Sequence, residues 1–197
     1  QTGLSEEQLN QLASGFCAGM GKHTLKRGGI VFALGIAVTL VTLLFMPEDL
    51  IVFGVLTLIG SSMLIVGACK PYLKKIPSVV GLLVSYGLFA FTRYADAGYL
   101  GIFTHPLIKL PQGLYRNYLT AYFGFPQAGF YSTDYFALIP WVFLFLTGFY
   151  LYQTAGEKIL SIRWKGIAPL NWIGRHALEI YVVHQPIIYG ILWLIFR

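Results

Sequence analysis

The chain has 197 residues, of which 56% are apolar and only 11% charged, and its mean hydropathy is +0.67. So few charges cannot cover a globular surface with solvated groups, so an ordinary soluble domain is excluded, and the high hydrophobicity excludes disorder. The net charge is +6, but the basic residues stand in short clusters between apolar runs, which argues for membrane sidedness and against nucleic-acid binding.

The first ten residues, QTGLSEEQLN, are polar, and QLASGFCAGMG after them is small and apolar but too short to span. This start reads as the last turns of a membrane helix with at least one further helix upstream, ahead of a surface helix lying on the inner leaflet. Five apolar runs follow, each near the roughly 20 residues that cross a bilayer. Span A covers residues 28–46, span B 50–69, span C 76–92, span D 135–153 and span E 177–196. None shows the period-2 alternation of a barrel. The expected fold is therefore an all-α polytopic membrane helix bundle with about five transmembrane helices, forming one membrane domain over 1–197.

Lys22, Lys26, Arg27, Lys70, Lys74, Lys75, Lys158, Arg163, Lys165 and Arg175 fall on one side of these spans. Arg93, Lys109, Arg116 and Arg197 fall on the other, beside Glu48, Asp49, Asp96 and Asp134. The basic side is expected in the cytoplasm, with the N-terminal side inside and the C-terminus outside. Cys17 and Cys69 form neither a disulfide framework nor a metal knuckle. The connection 94–134 is long, rich in aromatic residues and punctuated by Pro106, Pro111 and Pro126, and it reads as an ordered outer lid with a short interfacial helix over 114–123.

Polar groups inside spans carry the functional signal, because a mid-bilayer charge is expensive unless paired or hydrated. Span E holds Arg175 and Glu179, which share a face at i, i+4, and then Tyr181, His184, Gln185 and Pro186. His184 is the leading candidate base, since imidazole titrates near neutrality; the plainer reading is a hydrogen bond that locks packing. His105 in the outer loop is a weaker candidate, set against a solvated loop histidine. Asp134 reads first as the N-cap of span D, with Pro140 kinking that helix, and second as a polar group at the mouth of an outward cavity. Trp141 lies in the same stretch, and Thr147 with Gly148 permits close helix approach. Arg93 reads as snorkelling to the interface, or as a contact for an anionic substrate. Lys26 and Arg27 are candidate phosphate contacts on the inner face. No metal-ligand spacing and no nucleotide-binding or nucleophile motif occurs.

Four pieces in order resemble the heparan-alpha-glucosaminide N-acetyltransferase catalytic family. They are Ser14-Gly15-Phe16 with Lys26-Arg27-Gly28; Ile51-Val52-Phe53-Gly54-Val55-Leu56; Ser132-Thr133-Asp134-Tyr135-Phe136 with Pro140-Trp141 and Gly148; and Gly174-Arg175-His176-Ala177-Leu178 with Tyr181 and His184-Gln185-Pro186. The resemblance implies a bacterial inner-membrane acyltransferase that moves an acetyl group from cytosolic acetyl-CoA to an extracytoplasmic sugar or glycan amine or hydroxyl, without a metal. Its implied partners are the bilayer, an acyl-CoA and a glycan acceptor, with room for a homo-oligomer. It also implies two helices upstream, with the catalytic histidine in the outer loop between them, so that role passes to neither His105 nor His184. The competing expectations are a small transporter subunit, whose path span E would line, and a non-catalytic assembly partner.

Overall fold

A computed structural model describes residues 5–21, 23–102 and 105–161, together with Trp172, His176, Ile180, Val183, Ile187, Ile191, Leu194 and Ile195. The chain forms two compact units, Gln1–Glu157 and Lys158–Arg197.

The first unit is built from helices. Helix α1 (Glu6–Met20) opens with a capping box in which Ser5 Oγ accepts from Gln8 N–H at 3.3 Å and Ser5 N–H donates to Gln8 Oε1 at 3.0 Å. Helix α2 (Thr24–Phe45) and helix α3 (Val55–Leu73) run antiparallel and interlock through glycines one heptad apart. A Cβ at Gly35 would lie 2.6 Å from Thr57 Oγ1, and one at Gly60 would lie 2.5 Å from the Phe32 backbone nitrogen. Lipid offers no hydrophobic drive between helices, so close backbone approach over small residues supplies the association. Much of the remaining apolar surface of α2, including Leu40, Leu44 and Phe45, is exposed, as a lipid-facing helix requires.

Helix α4 (Ser78–Thr92) buries Gly81, Ser85 and Phe89 on one stripe against helix α6 (Leu138–Ser161). Tyr150 packs on Gly81, Thr147 Oγ1 donates to Ser85 Oγ at 3.1 Å, and the Phe89 and Trp141 rings are 6.1 Å apart. Helix α1 lies along α6 with still closer backbones. A Cβ at Gly15 would sit 1.9 Å from Phe145 O, and one at Gly148 would sit 2.1 Å from Leu12 O. Ala18, Val66, Phe145, Phe149 and Tyr150 form the core where α1, α3 and α6 meet. The C-terminal carbonyls of α1 are taken by Lys70, whose Nζ donates to Gly21 O at 2.7 Å. Helix α1 is thus a packed member of the bundle and not a helix lying on a leaflet.

Thr24–Phe45, Val55–Leu73 and Leu138–Gly156 are long and apolar enough to cross a membrane; α4, at 15 residues, is shorter. These correspond to spans A, B, D and C. Span B begins five residues later than the apolar run suggests, because residues 50–54 form a non-helical loop in which Phe53 takes a positive φ. Span D likewise becomes helical only at Leu138, with Ile139 out of helical geometry and a cis bond to Pro140. The connection after α4 contains an antiparallel hairpin, β1 (Tyr99–Ile102) with β2 (His105–Lys109), and helix α5 (Tyr118–Phe123), which is shorter than the expected 114–123 helix.

In the second unit, the described positions of span E are helical, with Ile180 N–H donating to His176 O at 2.9 Å. Ile180, Val183, Ile187, Ile191 and Leu194 make an exposed apolar stripe at helical spacing.

Candidate functional site

The two loops that lead into α3 and α6 are tied together. Val52 N–H donates to Ser132 Oγ, which donates back to Val52 O, both at 2.9 Å. Thr133 N–H reaches Leu50 O at 3.1 Å, and Phe136 N–H reaches Phe53 O at 2.9 Å. Asp134 Oδ2 accepts from Val55 N–H, the first helical residue of α3, at 3.2 Å. The carboxylate therefore caps α3 and does not cap its own span, placing negative charge at a helix N-terminus where the dipole favours it. A Cβ at Gly54 would lie 2.9 Å from that carboxylate oxygen, so glycine leaves the cap room to approach. Phe53 has φ +58, a conformation that costs a non-glycine residue roughly 1–3 kcal/mol and that the clasp holds in place. Its ring packs 5.2 Å from Tyr122 and 6.5 Å from Phe130.

This clasp positions the segment Tyr135–Trp141, which forms one wall of a cavity of about 260 Å³. Ser5, Glu7 and Gln8 of α1 form a second wall, and Phe89, Arg93 and Asp96 a third. The cavity opens at the end of the bundle that carries the hairpin. It is smaller than a drug-sized site, and it combines an aromatic lining with a few converging polar groups. Arg93 is exposed and lies 5.9 Å from the Tyr94 ring centroid. Burial, with Asp96 and Tyr115 nearby, pushes the Tyr135 phenol far above its ordinary pKa. Burial and then Asp96 raise Tyr115 as well. Tyr135 is therefore a proton donor, given to Ala121 O, and not a base. Tyr115 likewise donates to Ala95 O.

The structure brings Trp141 into this cavity and places Asp134 one residue behind its wall. His105 is exposed on β2 and does not line it. Lys26 and Arg27 are exposed at the opposite end of the bundle, beside Lys74 and Lys75. Arg175, Glu179, Tyr181, His184 and Gln185 lie outside the described residues. The sequence reading missed Glu7, Gln8, Asp96 and Tyr135. Glu7 and Gln8 read as a polar tail, and the only available signal was the Ser5–Gln8 capping pair. Among the described residues no cluster of His, Cys, Asp or Glu has the arrangement of a metal site.

A helix bundle with three helices long and apolar enough to cross a membrane, a polar and aromatic-lined cavity at one end and a basic rim at the other defines a polytopic membrane protein. Residues 4–186 match the heparan-alpha-glucosaminide N-acetyltransferase catalytic family, and the chain belongs to it. The family indicates membrane acetyltransferase activity. No curated protein and no solved structure matches the chain.

Proposed function

We propose that the chain works in acetyl transfer from cytosolic acetyl-CoA to a sugar amine or hydroxyl, and that the cavity between α1, α4 and the Tyr135–Trp141 segment receives the acceptor. The observation that carries this reading is the composition of that cavity. Glu7 and Asp96 accept hydrogen bonds from hydroxyls or pair with an ammonium, Arg93 and Gln8 donate, and Trp141 and Phe136 offer faces for a sugar ring. At the other end, the exposed Lys26, Arg27, Lys74 and Lys75 suit the phosphates of the donor. The basic end is read as cytoplasmic, in a bacterial inner membrane, with 1–197 acting as one membrane domain.

In the transfer, the acceptor nitrogen or oxygen attacks the thioester carbonyl, the new C–N or C–O bond forms, the C–S bond breaks to release CoA as its thiolate, and the acceptor's proton passes through a base to that sulfur. His184, with Arg175, Glu179, Tyr181 and Gln185 around it in sequence, remains the proposed polar group of span E. The test is thermal unfolding of the full chain in detergent. Acetyl-CoA should raise the melting temperature steadily with the logarithm of its concentration above Kd, the stabilisation reaching about 2.7 kcal/mol at a hundredfold excess over Kd. An unchanged melting temperature with both acetyl-CoA and glucosamine would overturn the reading.

A further inference from the structure

Helix α1 buries Gln8, Gln11, Gly15 and Ala18 on one stripe. Packing in a membrane bundle favours small residues, and Gly15 and Ala18 conform. Gln8 has a reason to differ, since it closes the capping box and lines the cavity. Gln11 has no such reason. It is 1% exposed, and neither its Nε2 nor its Oε1 has a hydrogen-bond partner among the described residues. Buried polar atoms are almost always paired, and hydrocarbon holds no water to relieve an exception. Ser62 Oγ and Gln153 Nε2 are also unpartnered, but a helical serine can turn to the carbonyl four residues back, and Gln153 is only partly buried and lacks a partner at one atom, where Gln11 lacks one at both. Gln11 stands one turn beyond Gln8 on the same face, ~4.5 Å farther along the helix. The contacts of Gly15 and Gly148 put it level with the fully buried Leu144 and Phe145, where nothing apolar can answer an amide.

Gln11 does not itself line the cavity; we propose that it is a ligand-binding residue behind the Gln8 wall, and that its carboxamide takes a hydroxyl of an acceptor that reaches it past Gln8. This rests on the reading of the cavity as the acceptor site. A carboxamide presents a donor and an acceptor side by side, and a hydroxyl both donates and accepts, so one sugar hydroxyl satisfies both orphaned atoms. Gln11 then reads a neutral hydroxyl of the ring, while Glu7 and Asp96 face its ammonium.

The test uses the full chain in detergent with glucosamine as the probe. Gln11→Leu should raise the melting temperature of the ligand-free protein, because it removes an unpaired buried amide, and should weaken the apparent affinity for glucosamine at least tenfold. A lowered melting temperature with unchanged glucosamine affinity would make Gln11 a packing residue and overturn the proposal. If glucosamine does not stabilise the parent protein, the acceptor reading fails, and a second arm judges Gln11 by itself. In a Cys17→Ser, Cys69→Ser background, Gln11→Cys and Gln8→Cys are each treated with a small methanethiosulfonate reagent. Labelling of both in the folded protein supports a ligand path to Gln11. Labelling of Gln8→Cys alone rules that path out.

Discussion

Asp134 shows how a single residue's role depends on a partner far away in the chain. Its place before span D suggests a local cap, yet its carboxylate satisfies the first N–H of α3. Asp134→Ala should cost about 1 kcal/mol, the usual worth of a helix cap, and Asp134→Asn should cost a few tenths; chemical denaturation in detergent measures both. Tyr135 gives a pH dependence. Its folded pKa is raised above the ordinary value near 10, so its contribution is fully present below that pH. Above it the unfolded chain ionises first, and stability falls as pH rises. Thermal melts between neutral pH and pH 11 should show this alkaline loss, and Tyr135→Phe should flatten it. An equal slope in both proteins would show that other groups carry the dependence.

At the scale of elements, the bundle is held by backbones in contact. Gly15 and Gly148 each leave space for a carbonyl of the opposing helix, with no flexible side chain to move aside. Gly15→Leu or Gly148→Leu should force α1 from α6 and cost about 3 kcal/mol or more, read as loss of folded protein on size exclusion. Gly29, in the lipid-facing run of α2, has nothing within 4 Å of a would-be Cβ. Gly29→Ala should leave the fold intact and add up to about 1 kcal/mol through helix propensity. The contrast tests the packing itself, because composition alone treats these glycines alike. The clasp between residues 50–55 and 132–136 belongs to this scale as well. It explains why two apolar runs start their helices late, with their leading residues spent on loop-to-loop hydrogen bonds.

For the whole molecule, the two ends of the bundle differ in chemistry. One carries Lys26, Arg27, Lys74 and Lys75; the other carries the hairpin, α5 and the cavity. Introduced in a cysteine-free background, Lys75→Cys and Ile108→Cys should react with a membrane-impermeant maleimide from opposite sides of sealed vesicles. Reaction of both from one side would contradict α4, the helix between them, as a membrane crossing. Leu107 and Ile108 are exposed on the hairpin, which fits a segment close to the membrane surface and not one projecting into bulk water.

The sequence by itself determined the membrane class, the places of the four helices at spans A to D to within about five residues, the asymmetry of charge and the family. The first three follow from local composition, since lipid accepts apolar side chains wherever they occur, and a run of them is visible without knowing its neighbours; the family follows from the resemblance of four short motifs in order. The order in the 94–134 segment was legible in its aromatics and prolines, but the hairpin was not, because Tyr99–Ile102 and His105–Lys109 are too short for a period to declare itself. Tertiary structure decided the rest. That Glu7 and Gln8 line a cavity, that α1 is a bundle helix, and that Asp134 caps α3 all depend on pairings across nearly 50 residues or more. Such contacts are selected by which helix backbones can approach, and the geometry of that approach leaves no periodic trace in the sequence.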